Sequence, residues 1–355
     1  MPEELNAIFG DAIARHIFPG ATVWLANGEK VLAHAAFGTT AYQREYSAPV
    51  TTETLYDIAS ITKLFTATAF LMAARENNIS IETPLAHFLP EFGSHDKREI
   101  RLKNLLQHNS GIEIAIQSLL EISPQEWIEK IAAAPLRAAP QKRVLYSCTN
   151  FFLLARMVEM MTKTPLDDFI AQEILHPLGM KRTTWTPLEK FSKDEIAPTE
   201  IENEIVCHGV VHDPAARAWR EYSLHASCGN SGLFSTASDL AKFALLWRDG
   251  GIFENQELLN CNDCDLAFQE TVVEENPKAQ RGLGWQLDAG FYMSEKAPRG
   301  SAGHAGFTGP TLWLHPNTKH VCIILNNRVF PSRDNESRFP THRKIARWLM
   351  KNSSL

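Results

Sequence analysis

With 355 residues, 44% of them hydrophobic, the chain can bury a large core and form two lobes. A formal net charge of −6 leaves no basic footprint, which argues against a nucleic-acid partner. No apolar run approaches the roughly 20 residues of a spanning helix; the stretch 151–155, for example, is stopped by Arg156.

In chain order, Leu5, Ile8, Phe9, Ala12, Ile13 and Ile17 trace one face of an N-terminal helix. That segment opens on Glu3 and Glu4, whereas a secretory signal begins with positive charge and continues into an apolar run, so a cytoplasmic protein is expected. Residues 21–26 predict an apolar strand, Asn27-Gly28 a hairpin turn, and 30–37 the returning strand. Ser60 follows, ahead of Ile61, Leu64, Phe65, Thr68, Leu71 and Met72, whose i, i+3, i+4 spacing marks an amphipathic or buried helix.

From about Leu85 to Leu246 helical patterns dominate, broken by Pro and Gly, with Tyr146 placed just before a helix over 151–161. Short apolar or aromatic runs at 282–287, 303–307, 311–314 and 321–325 read as strands, with Pro316-Asn317 turning the last two. Ile345, Trp348 and Leu349 mark a C-terminal helix. The early hairpin and the late strands can complete one antiparallel sheet. The expected fold is therefore α/β (α+β): a discontinuous sheet domain, 1–84 and 270–355, beside a mostly helical domain, 85–269.

Cys148, Cys207, Cys228 and Cys322 are scattered through apolar or motif segments and read as free thiols. Cys261-Asn262-Asp263-Cys264 has the spacing of half a zinc site, but no second pair accompanies it and structural zinc needs four ligands. No metal and no cofactor is expected.

Three short motifs carry chemistry: Ser60-Ile61-Thr62-Lys63, Tyr146-Ser147-Cys148 and Gly303-His304-Ala305-Gly306. Ser-x-x-Lys also occurs at Ser94/Lys97, in a charged stretch that reads as a solvated loop or helix start. A serine at a helix start is a favoured cap, and Ser60 could be no more than that. Three residues apart on a helix, however, Lys63 can bring its amine to the Ser60 hydroxyl, which is a poor nucleophile until a base takes its proton. Burial and the helix N-terminal field are both expected to lower the Lys63 pKa toward the neutral form such a base requires. The small, glycine-flanked third motif suits a strand that a substrate backbone approaches closely. Its alternative is a tight sheet edge with a surface histidine.

The order Ser-x-x-Lys, Tyr-x-Asn-like, His-x-Gly resembles the penicillin-recognising serine hydrolases: class C β-lactamases, D,D-peptidases, D-aminopeptidases and a branch of carboxylesterases. Residues 105–111, 232–240 and 303–309 are similar to the same family, and the resemblance runs from about Phe18 to Asn327. It implies a sheet sandwiched by helices beside an all-helical domain, with the active site in the cleft between them. It further implies Ser60 as nucleophile, Lys63 and Tyr146 as proton carriers, and the Ser60 and Phe307 N–H groups as an oxyanion hole. His304 would join Ser60, Lys63 and Tyr146 in the catalytic set, and Cys148, Ala305 and Gly306 would line the substrate path.

Two departures bear on the substrate, a small-molecule ester, amide or β-lactam. Cys148 stands where the family commonly has Asn, and a thiol is a weak donor and acceptor for a substrate amide. His304 stands where lysine usually attracts a carboxylate, and an unperturbed histidine is mostly neutral at pH 7. Both lean toward an esterase acting through a Ser60 acyl-enzyme. A β-lactamase, a D-amino-acid peptidase and a non-catalytic binding protein remain the alternatives.

Overall fold

The computed structural model describes residues 2–94, 96–223, 225, 227–271, 280–335 and 338–353. Its sheet has six strands: β1 (Gly20–Asn27), β2 (Lys30–Gly38), β3 (Gln286–Leu287), β4 (Ala302–Ala305), β5 (Thr311–Leu314) and β6 (His320–Asn326). They lie in the order β2-β1-β6-β5-β4-β3, and every neighbouring pair is antiparallel. The hairpin thus joins the late strands through β1 and β6, with Val23 opposite Ile324.

Six helices matter for the site: α1 (Glu3–Ala14), α2 (Thr62–Glu76), α3 (Cys148–Thr162), α4 (Pro214–Ser223), α5 (Ala237–Arg248) and α6 (Phe339–Asn352). Side chains alternate across the sheet, so each strand feeds two cores. Val23, Leu25, Cys322 and Ile324 pack with Leu5 and Phe9 of α1 and with Ile345 and Leu349 of α6. Trp24, Ile323 and Leu325 face the other way, into the larger core that holds Phe65 and Phe70 of α2 and Leu240 and Trp247 of α5. All seven residues of β6 are buried, which is why its sequence reads as a continuous apolar run. Each large aliphatic side chain buried there contributes about 1.5–3 kcal/mol.

Helix α2 is buried nearly all round rather than amphipathic. Its threonines are tolerated because their hydroxyls are bonded. Thr66 Oγ1 donates to the Gly229 carbonyl at 2.6 Å, and Thr68 Oγ1 to Leu64 O at 2.7 Å.

Strand limits differ from expectation at two places. The run 282–287 yields only Gln286–Leu287, because Gly284 adopts φ +84° and Gly282 is pressed against the Ala267 carbonyl, 1.8 Å from where a Cβ would sit. The strand expected over 303–307 ends at Ala305, since the Gly306 N–H turns back to the Pro310 carbonyl at 2.8 Å. Among the described residues no helix is long and apolar enough to cross a membrane.

Candidate active site

Ser60 lies in a single 3₁₀ turn, Ala59–Ile61, that runs directly into α2. The helix-capping alternative does not hold: Ile61 occupies the cap position and no side-chain cap bond forms. Ala59 has φ +45°, a left-handed conformation that costs a non-glycine residue about 1–2 kcal/mol. Asp57 holds this turn in place. Its Oδ1 accepts from the Ala59 N–H at 2.8 Å and its Oδ2 from the His212 N–H at 2.8 Å. The Asp57 carbonyl accepts from Thr308 Oγ1 at 2.6 Å, which ties the loop after β4 to the same point. Burial pushes the Asp57 carboxyl up to about 6 despite its two N–H donors.

Lys63 is completely buried one turn further on. Its Nζ donates to Ser60 Oγ at 3.1 Å, to the Asn230 carbonyl at 2.9 Å and to Cys148 Sγ at 3.5 Å, and stands 5.1 Å from the centre of the Tyr146 ring. The expected lowering of its pKa is not what the site produces. Burial does act downward, but Cys148 and Tyr146, with Asp213 behind them, outweigh it, and the net direction is upward. Lys63 is therefore an ammonium in the resting site.

Tyr146 and Ser147 precede α3, so Cys148 is that helix's first residue and its thiol meets Lys63. The Ser147 N–H donates to His108 Nδ1 at 3.1 Å, and the His108 ring lies 4.6 Å from that of Tyr146. Accepting at Nδ1 leaves the His108 proton on Nε2, which has no partner. The Asn150 side chain is engaged elsewhere: its Oδ1 accepts from Ser110 Oγ at 2.9 Å.

His304 is buried rather than a surface histidine. Its Nδ1 donates to the Ala305 carbonyl at 3.0 Å, leaving Nε2 a bare acceptor without a partner. Burial, with Arg281 and Lys63 nearby, lowers its pKa well below the ordinary value, so the ring is neutral. On β4 the short β3 pairs only Ala302 and Gly303, so the strand edge at His304 and Ala305 is left open by β3.

Gly306 serves a contact within the molecule. A Cβ there would sit 2.5 Å from the Ile58 carbonyl oxygen and 3.4 Å from Ala59 Cβ. Its absence lets the end of β4 lie against the Ser60 turn. Phe307 follows, its carbonyl held by Arg328 Nε at 3.1 Å and its ring between Arg328 and His212. Among the described residues neither the Ser60 nor the Phe307 N–H has an acceptor.

The structure thus gathers Ser60, Lys63, Tyr146, Cys148 and His304, with Gly306 and Phe307 beside the Ser60 turn. Ser94 and Lys97 are not part of it: both bond Asp96, at 3.1 and 3.4 Å. His95, inside that second motif, lies outside the described residues. Sequence reasoning missed Asp57, His108 and Arg281 as site residues. His108 at least lies within the quoted segment 105–111, whereas Asp57 and Arg281 have no motif spacing to flag them.

A buried lysine bonded to a half-buried serine, beside two uncommitted backbone N–H groups, is the arrangement of a serine acyl hydrolase. The chain belongs to the beta-lactamase family, whose model matches residues 5–347, and that family consists of serine hydrolases. A protein of Escherichia coli (strain K12) named as a candidate D-alanyl-D-alanine carboxypeptidase is 27% identical over 347 residues, covering 88% of this chain and 79% of its own. A Salmonella agona (strain SL483) protein of the same name is likewise 27% identical, with the same coverage. Among solved structures, EstCE1, described as a hydrolase with promiscuous acyltransferase activity, superposes with a TM-score of 0.76 at 18% identity, covering 97% of each chain. A class C beta-lactamase mutant gives 0.75 at 17% identity, over 98% of this chain and 96% of its own. The fold is accordingly that of the beta-lactamases and transpeptidases.

Proposed function

We propose that the chain is a serine esterase or amidase that works through an acyl-enzyme on Ser60. The observation that carries this reading is the Ser60–Lys63 pair at 3.1 Å beside the free N–H groups of Ser60 and Phe307. Ser60 Oγ attacks the substrate carbonyl, and the oxyanion gathers at those two N–H groups. The Tyr146 oxygen takes the Ser60 proton as its own phenolic proton passes to the departing alcohol or amine and the C–O or C–N bond breaks, with the Lys63 ammonium steadying the charge. Water repeats the sequence to release the acid.

The esterase side of the family is favoured by two features. Cys148 offers a substrate amide little, and His304 is neutral where a fixed cation would select a carboxylate. We infer also that the active site lies where the sheet-bearing segments, 1–84 and 270–355, meet the helical segment 85–269. Ser60 and His304 come from the former, Tyr146 and Cys148 from the latter. Six free thiols suit a cytoplasmic setting.

The test is intact-protein mass after brief exposure to a p-nitrophenyl ester and, separately, to a penicillin, with Ser60→Ala as control. Ester turnover or an ester adduct that disappears in the variant, with little penicillin labelling, is the expected result. A durable penicillin adduct on Ser60 would instead favour the carboxypeptidase reading suggested by the name of the Escherichia coli relative. Turnover undiminished in Ser60→Ala would end both.

A further inference from the structure

The peptide between Gly306 and Phe307 carries the N–H proposed to meet the oxyanion, and the other end of that peptide holds a cation. Arg338, the residue just before α6, donates from Nη2 to the Gly306 carbonyl at 2.6 Å. Only 6% of Arg338 is exposed. Its guanidinium lies 4.1 Å from the centre of the Phe339 ring, and its Nε has no partner among the described residues. Among those residues the one charge acting on it is that of Arg328, which repels it. Burying a cation against a carbonyl rather than a carboxylate is costly.

The contact acts on the far side of the peptide. Resonance joins the carbonyl to the N–H across the C–N bond, so a cation at the oxygen draws electron density from the nitrogen and makes its hydrogen a stronger donor. This peptide is trans, so its C=O and N–H point in opposite directions. Arg338 therefore stands behind the N–H, opposite the place where negative charge would develop. Neighbouring groups hold the same short stretch: the Gly306 N–H donates to the Pro310 carbonyl at 2.8 Å, and the Phe307 carbonyl accepts from Arg328 Nε at 3.1 Å. The second proposed donor is supported differently. The Ala59 carbonyl, on the peptide that carries the Ser60 N–H, accepts from the backbone N–H of Thr62.

We infer that Arg338 is a positioning residue for the reaction: it orients and polarises the 306–307 peptide so that the Phe307 N–H binds the developing oxyanion more strongly than the ground-state carbonyl. The inference rests on the acyl-enzyme reading. It gives Arg338 no contact with substrate, since the guanidinium acts through the peptide. Binding that strengthens only as charge develops raises kcat and leaves KM alone.

The experiment measures kcat and KM for p-nitrophenyl acetate, together with the affinity of trifluoroacetophenone, a ketone whose carbonyl oxygen becomes an anion when Ser60 Oγ adds to its carbon. Arg338→Met should lower kcat on the order of tenfold or more, leave KM near the parent value, and weaken the ketone by the same factor. Arg338→Lys, which keeps the charge, should recover part of both. Thermal unfolding of each variant reports separately on the fold. A folded Arg338→Met protein whose kcat and ketone affinity both lie within about threefold of the parent overturns the role. So does a loss of kcat with no change in ketone affinity, because a merely structural contact would not discriminate in favour of the anion. If Arg338→Met does not fold, Arg338→Gln, which keeps a donor without the charge, is judged by the same two readouts. A parent that neither turns over the ester nor takes the ketone removes the acyl-enzyme reading, and the role of Arg338 with it. A parent that does both, beside an equally active Arg338→Met, removes the role alone.

Discussion

Replacing Gly306 by alanine tests whether the end of β4 places an oxyanion donor. The new Cβ would lie 2.5 Å from the Ile58 carbonyl oxygen and 3.2 Å from its carbon, both backbone atoms that cannot rotate away. Relief to ordinary contact distance requires a separation of about 1 Å between β4 and the Ser60 turn. Gly306 is not free to retreat alone. Its N–H is bonded to the Pro310 carbonyl at 2.8 Å and its own carbonyl accepts from Arg338 at 2.6 Å. The displacement therefore falls on the Ser60 turn or on the neighbouring Phe307 N–H. A misplacement of about 1 Å in a positioned catalytic group costs on the order of 100-fold, and loss of one oxyanion donor costs about 100- to 1000-fold in kcat. We expect kcat for a p-nitrophenyl ester to fall about 100-fold, with KM changed far less. Overpacking should also remove about 1–3 kcal/mol of stability. Steady-state kinetics and thermal unfolding on the same preparation separate the two effects. A folded Gly306→Ala protein with kcat within about threefold of the parent would refute the placement of the oxyanion hole.

Two further outcomes follow from the same geometry. Asp57 has a carboxyl pKa of about 6 in the folded protein against an ordinary 3.8, so the folded state takes up the proton more readily. Stability is then lost as pH rises from about 4 to 6, a penalty of about 3 kcal/mol above that window. Asp57→Asn removes this dependence, so chemical denaturation should show the variant gaining about 3 kcal/mol relative to the parent between pH 4 and 7. A difference between the two proteins that does not change with pH would show that Asp57 does not titrate there. Separately, Cys148 Sγ sits 3.5 Å from Lys63 Nζ and is only partly buried. A bulky thiol reagent should abolish ester turnover in the parent and spare Cys148→Ser. Full activity after mass-confirmed modification of Cys148 would place that thiol off the substrate path.

Much of this was legible in the residues alone. The pairing of Ser60 with Lys63 is a local matter of helix geometry, and the continuous apolar runs of β1 and β6 need only a sheet covered on both faces. The Asn27-Gly28 turn and the late apolar runs likewise set which segments join the sheet. What the tertiary structure decided was the electrostatics. Burial by itself argued for a neutral Lys63, but the groups that reverse the sign arrive from far along the chain: Cys148, 85 positions away, with Tyr146 and Asp213. The same holds for Asp57, which stitches the Ser60 turn to His212 and Thr308, and for Arg338, which reaches the Gly306 carbonyl from the start of α6. Local spacing fixes which side chains share a face. The charge state of a buried group depends on every neighbour within a few ångströms, and those neighbours are chosen by the fold.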